Sequence, residues 1–136
     1  MGRGRRVTIP YLYDAGALIA LDNDDRRMWA RHHLALEQGR TIHVPTVVVA
    51  QAWRDARRQV RLGRLLASCQ IEPVGLATAK TAGILCGRTR TSDIVDATAV
   101  VMATAYGAII WTSDPGDLHT LAEESGAKPA LVIRTV

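Results

Sequence analysis

The segment Ala97-Thr98-Ala99-Val100-Val101-Met102-Ala103-Thr104-Ala105 carries no charge, and only its two threonines are polar. A run so uniformly apolar predicts a helix buried on most sides, and the rest of the chain must supply the layers that cover it. The turn that opens it, Thr91-Ser92-Asp93-Ile94-Val95-Asp96, nevertheless holds two carboxylates three residues apart, neighbours on one helical face. Unpaired charge is costly in an apolar setting, so such carboxylates need a cation or a metal. No Lys or Arg lies between Arg90 and Lys128, which makes a local salt bridge a poor answer. Two ordinary roles also stay open: Asp93 as a helix N-cap, and Asp96 as a first-turn acid favoured by the helix dipole.

A chain of 136 residues is long enough for one domain with a sizeable core and too short for two. No apolar block approaches the roughly 18 residues that span a bilayer. Residues 1–7 read as a basic N-terminal arm and 8–136 as a single domain. The apolar run after the arm is broken by Pro10 and Asp14, unlike a signal peptide. Cys69 and Cys86 form no CxxC and have no His at metal-ligand spacing, so they read as reduced, small apolar fillers of a cytoplasmic protein.

The net charge of +4 is unevenly spread. Residues 1–68 hold 12 Lys+Arg against 6 Asp+Glu, whereas residues 69–136 hold 5 against 7. All the basic residues but Lys80 and Lys128 are arginines, whose planar fork grips phosphate in two places. A basic half beside an acid-bearing half suits a polyanionic substrate and a cation-binding centre. Charge alone equally describes a solvated surface or the docking face for an acidic partner.

Along the chain, residues 8–13 form a β-prone run ending at Asp14, and residues 15–21 read as a small apolar helix. A strand that ends in a carboxylate and turns straight into a helix puts that carboxylate at the carboxyl edge of a sheet, where open α/β folds place their ligands. Asn23-Asp24-Asp25 caps a helix over about 26–38, with His32 and His33 on its surface, and Gly39 stops it. Residues 41–44, ended by Pro45, are a second strand, with His43 in it. Thr46 to about Leu66 is helical, in two pieces if it breaks near Gly63. Residues 70–74 fit a short edge strand, since Pro73 cannot donate to a central ladder. A helix over 76–87 precedes the buried one. Residues 108–112 are the most strand-like run, followed by a helix over 117–125 ending at Gly126 and a last strand over 130–134. Strands alternating with helices predict an α/β fold of three layers, a central parallel sheet of four to five strands flanked by helices.

On that map Asp14, Asp96 and Asp114 fall where adjacent strands deliver the chain to one sheet edge, with Asp93 and Asp117 beside them. Carboxylates gathered so closely repel one another, and one would protonate unless a cation intervened. Hard oxygen ligands suit Mg²⁺ or Mn²⁺, with water in the remaining positions. Such an ion polarises a phosphoryl oxygen and lowers the pKa of a water for attack on a phosphodiester. No GxSxG, GxxxxGK[ST] or GxGxxG competes. His119 reads as a surface or supporting residue. A phosphoacceptor receiver domain shares the fold class but needs a Lys at a late strand end, and neither Lys80 nor Lys128 is placed there.

Three motifs in order, Tyr13-Asp14-Ala15-Gly16-Ala17-Leu18-Ile19-Ala20-Leu21, Asp93-Ile94-Val95-Asp96-Ala97 and Thr112-Ser113-Asp114-Pro115-Gly116-Asp117-Leu118, resemble those of PIN-domain ribonucleases. Within that family the chain is most similar to VapC-type toxins of bacterial toxin–antitoxin pairs, over about residues 8–135. The resemblance implies a Rossmann-like parallel sheet, an acidic Mg²⁺/Mn²⁺ site and hydrolysis of RNA (tRNA, rRNA or mRNA). It also implies a homodimer and a cognate antitoxin that blocks the site. By motif match Asp14, Asp96 and Asp114 are catalytic metal ligands, Asp93 is a further ligand with Asp117 close by, and Thr112 lends a hydroxyl. One departure stands out. Where the family has an early glutamate in the helix after the second strand, this chain has Gln51, which brings no negative charge. The alternative reading is therefore a catalytically attenuated domain that binds RNA or protein. Asp55, four residues on and so on the same helical face, either compensates or pairs at the surface with Arg58 or Arg54. Arg54, Arg57, Arg58, Arg61 and Arg64 make a stripe on one helical side, read either as a solvated face or as a track for RNA phosphates. With few aromatics and no Phe, base stacking is a minor part of recognition.

Overall fold

The computed structural model describes residues 8–136; the basic arm over 1–7 lies outside the described residues. Five short strands form one parallel sheet: β1 (Tyr11–Tyr13), β2 (Ile42–Pro45), β3 (Gln70–Glu72), β4 (Ile109–Thr112) and β5 (Ile133–Thr135). Their spatial order is β3-β2-β1-β4-β5. The chain thus builds outward from β1 on one side, returns to place β4 on its other side, and ends at the far edge. That reversal makes a switch point between the carboxyl ends of β1 and β4, which are paired in register from Tyr11↔Ile109 to Tyr13↔Trp111. The expected edge strand is β3, shortened to 70–72 because Pro73 follows it. The last strand begins three residues later than the apolar pattern suggests.

The period of two in the strands sorts residues onto two cores. Leu12 and Ile110 face a cluster with Leu85, Val100, Met102 and Leu118, under α5 (Leu76–Thr89), α6 (Ile94–Tyr106) and α7 (Pro115–Ser125). Tyr13, Ile42 and Val44 face the opposite cluster under α1 (Ala15–Asp22), α2 (Arg26–Glu37), α3 (Thr46–Ala52) and α4 (Val60–Ala67). The uniformly apolar α6 buries Ala97, Thr98, Ala99, Val100, Met102 and Ala103. Its threonine hydroxyls donate back to the carbonyls of Ile94 and Val100, at 2.7 and 2.8 Å, so they need no outside partner. Among the described residues no helix is long and apolar enough to cross a membrane, and both cysteines are free.

Three expectations need correction. The helix expected over 46–66 is two helices, and the break lies at 53–59 rather than near Gly63, which is inside α4. The cause is Gln59. Its buried side-chain carbonyl accepts from the Arg54 and Asp55 amides at 2.6 and 3.0 Å, and its Nε2 donates to Ala52 O and Asp22 Oδ2. These bonds replace the ladder that would continue α3. The arginines therefore do not form one helical stripe: Arg54, Arg57 and Arg58 sit on the irregular segment, and only Arg61 and Arg64 are helical. His32, expected at the surface, is buried. It bridges Tyr13 Oη, 2.9 Å from Nδ1, and Ser68 Oγ, 3.0 Å from Nε2. Burial pushes its pKa down to about 4, so it is a neutral tie between α2, β1 and the end of α4. His33 is exposed as expected.

Candidate metal centre

Because all five strands run parallel, the helices that follow β1 and β4 begin at the same sheet edge, and α6 begins there too. Each of the three has an aspartate at its N-cap: Asp14 for α1, Asp93 for α6 and Asp114 for α7. A short polar side chain suits that position, and the positive end of the dipole tempers its charge. Local chemistry thus explains why each carboxylate is there, and topology explains why they meet. Asp14 Oδ1 accepts from Ala17 N at 3.0 Å, and Asp93 Oδ1 accepts from Asp96 N at 3.0 Å. Asp114 makes no such cap bond. Asp96 stands one turn inside α6, held toward the same space by the apolar remainder of its helix.

The resulting cleft, of about 280 Å³, is lined by Asp14, Gln51, Asp93, Asp96, Thr112, Ser113, Asp114 and Asp117, with Ala15, Gly16 and Ile19 completing its wall. Every acid of the three motifs is in it, whereas Asp55, the possible substitute for the missing glutamate, is not. That residue follows the end of α3, is exposed, and has Arg58 Nε 3.9 Å from its Oδ2, a surface pair of little energetic weight. Gln51 lines the cleft with a neutral amide. Arg54 donates to Ala50 O and Trp53 O, and Arg61 donates to Asp22 O with Asp24 3.7 Å away, so these two arginines are tied into the surface outside the cleft. Thr112 is buried at the end of β4. Its hydroxyl accepts from Asp114 N at 3.0 Å and stands near enough to Asp14 to favour the ionised carboxylate.

Electrostatics marks the same place. Burial raises the Asp14 carboxyl above its ordinary range, with the Asp114 charge adding to it, although the Thr112 hydroxyl and the Ala17 and Gly16 amides oppose the shift. Asp96 is pushed up to about 7, first by burial, then by Asp93, Asp14 and Asp117. None of the five acids is paired with a cation among the described residues. An all-oxygen donor set carrying unpaired negative charge fits a hard divalent cation such as Mg²⁺ or Mn²⁺. No three of these side chains already converge on one point among the described residues. That spacing agrees with their mutual repulsion and with an ion held by one or two carboxylates and several waters.

Two features carried no clear sequence signal. Gly16 lies so close to the β4–α7 turn that a Cβ there would stand 2.8 Å from Ser113 N and 2.9 Å from Ser113 Cβ. Only glycine lets α1 start against that turn and bring Asp14 beside Asp114. Thr89, Thr91 and Thr120 line a second lobe of about 160 Å³ that shares Asp93, Asp96 and Asp117 with the main cleft. A larger cavity, about 710 Å³, lies elsewhere, between α2 and α4. It is bounded by Trp29, His33, Leu36, Val60, Arg61 and Arg64, and none of the clustered acids reaches it.

The PIN domain family profile matches residues 11–123. Solved structures with the same fold include VapBC2 from Rickettsia felis bound to a DNA fragment from its promoter. That chain is 14% identical, with a TM-score of 0.68 over 94% of this chain and 99% of that one. DNA-bound VapBC from Salmonella typhimurium is 14% identical, with a TM-score of 0.61 over 94% and 98%. PAE2754 from Pyrobaculum aerophilum is 19% identical, with a TM-score of 0.59 over 93% and 92%. At such identities the likeness is one of fold. No curated protein matches the chain.

Proposed function

The chain belongs to the PIN domain family, and from that premise we propose that it is a divalent-metal-dependent endoribonuclease of the VapC toxin type. The observation that carries this reading is the set of three N-cap aspartates and Asp96, gathered in one cleft at the switch point with no cation paired to them among the described residues. Asp14, Asp96 and Asp114 would hold Mg²⁺ or Mn²⁺, with Asp93 and Asp117 beside them. When bound, the ion supplies Lewis-acid stabilisation of a phosphodiester and lowers the pKa of a nearby water. The chain's own residues do the rest. The Ala17 amide holds one oxygen of the Asp14 carboxylate in place, and the Thr112 hydroxyl favours its ionised form. The dry floor formed by α6 keeps Asp96 facing the cleft. Arg57 and Arg58, exposed on the 53–59 segment, remain available to RNA phosphates beyond it.

A cognate antitoxin fits the same reading. The groove between α2 and α4 joins exposed Leu36 and Val60 to Arg61 and Arg64, a surface suited to an amphipathic acidic segment. A homodimer fits it too, since Leu76 and Ile84 stand exposed on one side of α5 with Lys80 between them. The second reading, an attenuated RNA- or protein-binding domain, is favoured by one observation, the neutral Gln51 in the cleft wall. Calorimetric titration with Mn²⁺, run beside an RNA-cleavage assay, separates the two. Gln51→Glu is expected to tighten Mn²⁺ binding several-fold and to speed cleavage, because it adds a hard anionic ligand. Metal binding without cleavage in both proteins would select the binding-only domain; no metal binding in either would remove the nuclease reading.

A further inference from the structure

An acidic cleft that cuts RNA has to attract a polyanion to a wall of carboxylates, and the bound ion is only part of the remedy. We propose that Arg90 is a substrate-binding residue that grips an RNA phosphate beside the scissile one, while the neighbouring sugar sits in the lobe made by Thr89, Thr91 and Thr120. This inference rests on the nuclease reading above. Three observations lead to it.

The first is backbone conformation. Arg90 ends α5 with φ 57° and ψ 36°, in the left-handed region. That cap position favours glycine, and here it carries a long cation at a cost in conformational energy. Gly107 and Gly126 fill the corresponding left-handed caps of α6 and α7. The second observation is that the Arg90 side chain is exposed and makes no hydrogen bond or ion pair among the described residues, so no polar contact within the fold offsets the strain of that position. The third is placement. Its neighbours on both sides line the lobe that shares Asp93, Asp96 and Asp117 with the cleft. That stretch is pinned: Thr91 N donates to Cys86 O at 3.1 Å, and Asp93 N donates to Thr91 Oγ1 at 3.2 Å. Thr91 Oγ1 already accepts one bond, which leaves its hydrogen for a ribose or phosphate oxygen. From residue 91 to 127 the chain has no other Lys or Arg, so Arg90 is the last cation before the acidic wall.

The test uses two variants that structure and function move in opposite directions. Arg90→Ala keeps the left-handed strain and removes the charge; Arg90→Gly removes both. If Arg90 grips phosphate, both variants raise KM for RNA about 5- to 30-fold at unchanged kcat and lower the salt dependence of binding by roughly one phosphate contact. Meanwhile Arg90→Gly raises Tm by ~3 °C, and Arg90→Ala leaves it unchanged. A purely structural cap predicts the Tm pattern with no change in KM or salt slope, and that result overturns the proposal while sparing the nuclease reading. Binding of fluorescein-labelled bulk tRNA and rRNA, measured in an Asp14→Asn background, separates the two readings. RNA binding weakened by the Arg90 variants, when the protein with Asp14 intact cuts no RNA in Mg²⁺ or Mn²⁺, would keep Arg90 as a phosphate contact and reject the nuclease. No RNA binding by the protein with Arg90 intact would overturn both.

Discussion

Asp96→Asn should abolish cleavage and stabilise the fold. The loss is expected to be on the order of 100-fold or more in kcat, as for removal of a group that holds or orients a catalytic metal. The stabilisation follows from the carboxyl's own position. With its pKa pushed up to about 7 by burial and by Asp93, Asp14 and Asp117, an ionised Asp96 is a burden on the folded state at pH 8. Asparagine fills the same space without the charge. A shift of this size on a fully buried group would amount to roughly 4 kcal/mol, but Asp96 is only partly buried and is screened by solvent, so a gain of about 1–2 kcal/mol is expected. For a domain of this length that is ~3–6 °C in Tm at pH 8. Near pH 4 the two proteins should melt together. Differential scanning calorimetry at the two pH values, beside RNA cleavage, reads both effects. A destabilised variant at pH 8 would show that Asp96 is a structural acid with a favourable partner.

The second large effect is the response of stability to pH and metal. A carboxyl whose folded-state pKa is raised above its unfolded value contributes stability fully present below the unfolded pKa and lost as pH rises through the folded one. For Asp96 that window runs from about 4 to about 7, and Asp14, raised in the same direction, adds to the loss. The metal-free protein should therefore become less stable between pH 4 and pH 8. Mg²⁺ or Mn²⁺ should restore it, by about 2.7 kcal/mol at a hundredfold excess over Kd. Protons compete for the same oxygens, so the gain in Tm from metal should be large at pH 8 and nearly absent at pH 4.5. Chelation by EDTA should reverse it. An equal metal effect at both pH values would place the bound ion away from these acids.

What was legible in the sequence was local. Asp14 to Ala17 and Asp93 to Asp96 are cap bonds across three residues, and the apolar α6 announces its burial without reference to anything distant. Parallel strands joined by helices then carry the N-caps of α1, α6 and α7 to one edge, so motif order sufficed to assemble the cleft. What was hidden depends on partners far along the chain. The break at 53–59 is made by the Gln59 side chain reaching Ala52 and Asp22, and no helical periodicity encodes it. His32 looked like a surface residue because Tyr13 and Ser68, which satisfy it, lie 19 and 36 residues away. The arginine stripe failed with the helix it assumed. The glycine fit of Gly16 against Ser113 is likewise a meeting of two loops, visible only once α1 and the β4–α7 turn are in place.

The most direct test of the acidic cleft as a nuclease centre is cleavage of a total tRNA and rRNA pool with Mg²⁺, Mn²⁺ or EDTA, beside Asp14→Asn. Asparagine at position 14 can still cap α1 through its carbonyl and relieves a buried charge, so the variant should fold at least as well as the original. A nuclease centre there gives discrete, metal-dependent cuts that EDTA and Asp14→Asn both remove, while Tm is held or raised. Cleavage that survives EDTA or persists in Asp14→Asn would contradict it.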